Sequence, residues 1–146
     1  MIIVLARWER GWLDPRVELN QWKDMIKAFN VDKFIMIPKT GIMRDTQVDF
    51  EEFDKVEDAL EKYKNLKRVF VEAPIDFQKH NIKYVPLRKY KHPKDAIYLF
   101  GKSGTDNIYL MKEGDDAVAI ETPKTEVLWG VIACGIVLYD RVIKWQ

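Results

Sequence analysis

Cysteine and histidine are nearly missing from this sequence: one Cys, at 134, and two His, at 80 and 92, in 146 residues. A lone cysteine forms no intramolecular disulfide, and a structural zinc site needs four Cys or His ligands close together. The sequence therefore implies no cross-link and no metal, and it suits a reducing, cytoplasmic setting. Cys134 lies in an apolar run, where a small buried thiol is the expected role. Net charge is also missing. The 24 basic and 23 acidic side chains leave a formal charge of +1, so attraction to nucleic acid must come from a local patch. Apolar runs of membrane length are lacking too. The longest uncharged one, Val127 to Tyr139, falls short of the roughly 18 residues of a bilayer span. The opening MIIVLARW meets Arg7 too soon for a secretion signal. The expectation is a soluble protein with no membrane partner.

What is present suits one domain over 1–146, since 47% hydrophobic content can fill a single core. IIVLA (2–6), KFIMIP (33–38) and RVFVEA (68–73) are apolar runs of strand length. Between them, Leu19, Trp22, Met25, Ile26 and Phe29 repeat on one helical face, predicting a helix over 16–29. Phe50, Phe53, Val56, Leu60 and Tyr63 do the same and predict a helix over 49–64. Alternating strands and helices argue for right-handed crossovers and a parallel α/β sheet. AIYLFG (96–101) and AVAI (117–120) read as further strands, while NIYLM (107–111) fits either a short strand or a helical turn.

Residues 77–94 carry no acid. Lys79, Lys83, Arg88, Lys89, Lys91 and Lys94 fall there with both histidines, Tyr84 and Tyr90. Such a strip either carries an RNA backbone, with Lys83, Arg88 and Lys91 on phosphates and a tyrosine on a base, or forms a solvated edge. His92, before Pro93, reads as a turn residue rather than a base. The segment 125–144 predicts a long helix with Thr125 as N-cap. It is apolar nearly all round, so both faces need cover. Gly130, Ala133 and Cys134 would let a second copy approach, and a homodimer through this helix is expected.

Four segments then acquire a common meaning. HPKDAIYLFG resembles the second motif of the SpoU-type members of the SPOUT methyltransferases, a His-Pro pair before an apolar strand ending in glycine. AVAIETP resembles the strand of the third motif, and VLWGVIACGIVLYDRV the helix that follows it. DPRVELNQWKDMIKAFNVDKFIMI resembles the first motif. They occur in family order and span about 2–144.

The resemblance implies a three-layer α/β/α domain with a C-terminal trefoil knot, and a homodimer through the C-terminal helix. It implies S-adenosyl-L-methionine held by three loops: Val71, Glu72 and Ala73; Leu99, Phe100 and Gly101; and Ile120, Thr122 and Leu128. It implies methyl transfer to a ribose 2′-oxygen of tRNA or rRNA. The family's polar signature has changed, however. Its first-motif arginine falls on Asp24, beside Lys23; its Gly-x-Glu reads Gly101-Lys102-Ser103; its third-motif Asn and Ser fall on Trp129 and Val127. A ribose hydroxyl is a poor nucleophile at neutral pH and needs a base or a cation beside the attacking oxygen. Arg7, Arg10 and Arg16 flank the first-motif loop, and Arg16 is the candidate for that role. Lys102 and Ser103 read as a solvent-facing turn or a phosphate contact. Glu126 suits a helix start or the cofactor amine. The alternatives are a knotted dimer that binds cofactor or RNA without methyl transfer, and a methyltransferase for a base nitrogen or a protein side chain.

Overall fold

The apolar runs line up side by side, all in the same direction. The computed structural model describes residues 1–8, 14–41, 48–102, 104–124 and 127–145, apart from the side chain of Pro15. Of the positions singled out above, Arg10, Ser103, Thr125 and Glu126 lie outside them. The strands are β1 (Ile2–Arg7), β2 (Lys33–Ile37), β3 (Phe50–Glu52), β4 (Lys67–Val71), β5 (Val85–Pro86), β6 (Ala96–Phe100) and β7 (Asp116–Ala119). They form one parallel sheet in the order β3-β2-β1-β6-β4-β7-β5. β6 slots between β1 and β4, with Leu5 beside Leu99 and Phe70 beside Leu99. Buried on both faces, β6 is apolar at every position.

Alternation along each strand divides the interior in two. Val4, Ala6, Phe34, Met36, Val69, Val71, Tyr98, Phe100 and Val118 point to one side and meet α1 (Pro15–Ala28) and α4 (Gly130–Lys144). Ile3, Leu5, Ile35, Phe70, Ile97 and Leu99 point to the other and meet α2 (Val56–Lys62). There too, α3 (Pro74–Lys79) packs Phe77 on Ala117 and Ala119. The result is the three-layer α/β/α arrangement.

α1 begins as its sequence dictates, with Pro15 in the first turn and the Asp14 carboxylate accepting the backbone N–H of Arg16 at 2.8 Å. Trp22, 1% exposed, stacks on Phe34 at 5.4 Å and lies 6.2 Å from Phe100. It fixes α1 to the middle of the sheet.

Three expectations need correction. The stretch 49–64 is not one helix: Phe50–Glu52 pairs with β2, and only Val56–Lys62 is helical. Phe50 packs beside Phe34, and Glu51 meets Lys33 at 2.9 Å, so edge pairing overrides the helical repeat there. Glu51 is pushed up by burial but held at about 2 by bonds from Lys62, Tyr63 and Lys33. The last helix starts at Gly130 rather than 125, after an extended Trp129 with no side-chain cap. Finally, Gly130, Ala133 and Cys134 turn inward: a Cβ on Gly130 would stand 2.9 Å from the Gly101 carbonyl oxygen, and Ala133 and Cys134 are buried. Large residues occupy the outer face of α4, with Ile132, Ile136, Tyr139 and Ile143 exposed. NIYLM resolves as a 3-10 turn, Ile108–Leu110. α3 and the two-residue β5 were not anticipated, because the prolines that open or end them read only as breakers.

His92 is a core residue of this assembly, with its side chain 0% exposed. The Asp140 carboxylate lies 2.8 Å from Nε2 and the Tyr98 hydroxyl 2.8 Å from Nδ1. A carboxylate can only accept, so Nε2–H donates to Asp140 and Nδ1 accepts from Tyr98. Burial lowers the imidazole pKa while Asp140 raises it, and the first effect prevails. Lys144 bonds Asp140 and the Leu87 and Tyr90 carbonyls, and Arg141 bonds those of Pro93 and Lys94. This network clamps α4 to the 87–94 loop. Among the described residues no helix is long and apolar enough to cross a membrane, and no group of three His, Cys, Asp or Glu could hold a metal.

Candidate functional site

In a parallel sheet the strand carboxyl ends, with their diverging loops, make the natural crevice. Here a cavity of about 480 Å³ opens at the ends of β4, β6 and β7. Val71, Glu72 and Ala73 leave β4, Phe100 and Gly101 leave β6, and Ile120 leaves β7. Val127, Leu128, Trp129 and Gly130, leading into α4, form the last wall. The chain enters α4 against the end of β6 because Gly130 has no Cβ, and the turn after β6 folds back on Gly101 for the same reason. A Cβ on Gly101 would stand 2.5 Å from the Thr105 carbonyl oxygen. Both glycines are therefore set by close backbone approach.

The three-loop expectation can be placed residue by residue. Val71, Glu72, Ala73, Phe100, Gly101, Ile120 and Leu128 line the cavity together. Leu99 does not: it points to the opposite face and packs in the core with Ile97 and Phe70. Thr122 is outside the lining, its hydroxyl donating to the Lys124 carbonyl. Sequence reasoning missed Asp76 and Lys79 of α3, and Thr105 and Asp106 of the turn after β6, which complete the wall. Lys102 lines it too. A proline at the first turn of α3 was the available signal for the first pair.

Glu72 is the chemically distinctive wall residue. Its Oε1 accepts the backbone N–H of Asn107 at 2.9 Å. Burial pushes its carboxyl up to about 8; the Asn107 bond opposes this, and Asp106 and Asp76 add to it. The group is thus largely protonated at neutral pH. Asn107 is itself fully buried, and its Oδ1 accepts from Arg7 Nε at 2.7 Å. Its Nδ2 is enclosed with no hydrogen-bond partner among the described residues. Arg7 Nη2 donates in turn to the Tyr109 hydroxyl at 2.7 Å. Arg7 also borders a small recess with Gly101, Trp129 and Gly130, residues that line the cavity as well.

The remaining candidates lie elsewhere. Arg16 is exposed on the first turn of α1 and is not among the cavity residues. Lys83, Arg88 and Lys91 are exposed. Of the tyrosines between them, Tyr90 is 6% exposed and donates to Asp116, while Tyr84 is half-buried and stacks one face on Phe77 at 5.7 Å. For Tyr90 the stacking role is therefore corrected, while the half-buried Tyr84 suits the alternative of a solvated edge with half-buried tyrosines.

No protein-family model matches the sequence, and no curated protein sequence matches it either. Solved structures do. A TrmH/SpoU tRNA modifying enzyme of A. aeolicus superposes with TM-score 0.72 at 16% identity, over 96% of this chain and 73% of that one. An AdoMet-bound rRNA methyltransferase from Sinorhizobium meliloti gives 0.68 at 14%, over 99% of this chain. An RNA 2′-O ribose methyltransferase gives 0.71 at 12%, also over 99%. This chain spans only 56% of the length of each of the last two, and 58% of a TrmH-family protein from Porphyromonas gingivalis. At such identities the likeness is one of architecture. The chain shares the fold of the SpoU/TrmH-type RNA methyltransferases.

Proposed function

We propose that the protein is an S-adenosylmethionine-dependent RNA methyltransferase of the SPOUT type, acting on ribose 2′-oxygens of tRNA or rRNA. One observation carries the reading: the cavity joins the ends of β4, β6 and β7 and is closed by the segment entering α4. Its volume suits a nucleoside-sized ligand. Its residues fit this cofactor in character. Val71, Phe100, Ile120 and Leu128 offer apolar surface to an adenine, and Glu72, Asp76 and Asp106 offer carboxyls to a cationic end. Bound there, the cofactor would supply an electrophilic methyl group. The chain's own residues would enclose it and hold the nucleotide in line.

The same reading includes a single domain whose C-terminal segment threads the preceding loop as a knot, in a cytoplasmic setting. It also includes a homodimer through α4. The outer stripe Ile132, Ile136, Tyr139 and Ile143 supports the dimer, because exposed apolar residues of this size along one helix ask for cover.

Calorimetric titration with S-adenosylmethionine and transfer of labelled methyl into total RNA test the proposal together. Saturable binding and labelled ribose are expected; no binding would end it. A second reading, a knotted dimer that binds without transfer, is favoured by Asp24 and Trp129 standing where the family pattern has Arg and Asn. Binding without transfer would select it.

A further inference from the structure

In the cationic strip 79–94, Tyr90 is buried and Tyr84 is half-buried against Phe77, so a grip on single-stranded RNA gains from a more exposed ring elsewhere. Sequence-tolerant binding of such strands combines a cation for the phosphate with an exposed ring for the base. Arg7 and Tyr109, beside the cavity, offer both. Arg7 ends β1, next to β6, and Tyr109 sits on the 3-10 turn that follows the cavity wall. The Tyr109 ring is 65% exposed, and the guanidinium lies 5.9 Å from its centroid. Two of the guanidinium's nitrogens are committed, Nε to Asn107 and Nη2 to the Tyr109 hydroxyl. Nη1 meets no acceptor among the described residues. These bonds hold the arginine in one orientation, so little freedom remains to be lost on binding. The recess it shares with Gly101 and Trp129 sets it at the cavity's edge.

We propose that Arg7 and Tyr109 form the RNA-gripping pair of the cavity mouth, the guanidinium taking a backbone phosphate and the ring stacking on an adjacent base. The proposal rests on the RNA-modifying reading and names the surface through which RNA reaches that site. It assigns binding to this pair rather than to the strip alone. Asn107 acts as a positioning residue: its side-chain Oδ1 accepts from Arg7 while its backbone N–H donates to the Glu72 wall.

The test uses the whole chain and a fluorescent single-stranded oligoribonucleotide of mixed sequence, with affinity followed by anisotropy across a salt series. Arg7→Gln should weaken binding about tenfold and reduce the salt slope by roughly 0.7, the value for one phosphate on a single strand. Tyr109→Ala should weaken it about tenfold with the slope unchanged, and Tyr109→Phe should retain most affinity, because the ring remains. Arg7→Lys, which keeps the charge, should retain the slope. A parallel titration with S-adenosylmethionine should give wild-type affinity for Tyr109→Ala, separating loss of RNA from loss of fold. Wild-type affinity and slope in both Arg7→Gln and Tyr109→Ala would overturn the proposal, as would failure of the unaltered protein to bind the oligonucleotide at low salt. RNA binding without methyl transfer would instead remove the enzymatic reading and leave this one standing.

Discussion

Glu72 carries an uncommon pH signature for an acid. Its pKa rises from an ordinary 4.5 to about 8 on folding, chiefly because the carboxyl is buried. The folded state therefore binds a proton that the unfolded state releases. That contribution is complete below about 4.5 and is lost as pH rises toward 8. Glu72→Gln removes the titration. Thermal melts from pH 5 to 9 should show the wild type losing roughly 3–5 kcal/mol that the variant keeps. The variant should be the more stable protein at pH 9. The apolar run 68–73 takes Glu72 into a strand, and only the family resemblance makes it a loop residue; its partners were not legible at all. Asn107 lies 35 positions away along the chain, and its turn read equally well as a strand. Leu99 stands away from the cavity for a local reason: neighbours in a strand face opposite ways, and only one face of β6 borders the cavity.

At the scale of elements, the strands and the first helix follow from pattern because each buries a continuous run or a single face. The failures sit where two patterns compete. Phe50 and Phe53 fit a helical repeat, yet the backbone at 50–52 takes the open edge of β2. The α4 start was misplaced because Val127 to Trp129 are as apolar as the helix itself, while serving as cavity wall. The far end of α4 depends on Asp140, which accepts from both His92 and Lys144. Asp140→Ala leaves a buried imidazole N–H without its acceptor, while Lys144 keeps only its two carbonyl partners. A loss of about 1–3 kcal/mol is expected at pH 7, measured by urea unfolding. Loss of the same size is not expected from removing an exposed pair such as Lys64 and Glu61.

For the whole molecule, composition allowed a single core and the strand–helix order allowed a parallel sheet. The position of β6 between β1 and β4 had no signal in periodicity, because strand order is set by long-range pairing. Dimerisation is the property to test at this scale. Replacing Ile136, exposed in the middle of the α4 stripe, with Glu puts a charge where a second copy would pack. Sedimentation equilibrium should report a dimer for the wild type and a monomer for Ile136→Glu. Far-ultraviolet dichroism should be unchanged, since the residue makes no core contact.

The approach of Gly130 to the Gly101 carbonyl has a consequence for the order in which the protein loosens. The last helix owes its seat to a strand end that also borders the cavity. A molecule filling that space touches both sides of the seam and stitches them together. With one bound, the amide protons of the first turns of α4 should exchange more slowly than without it.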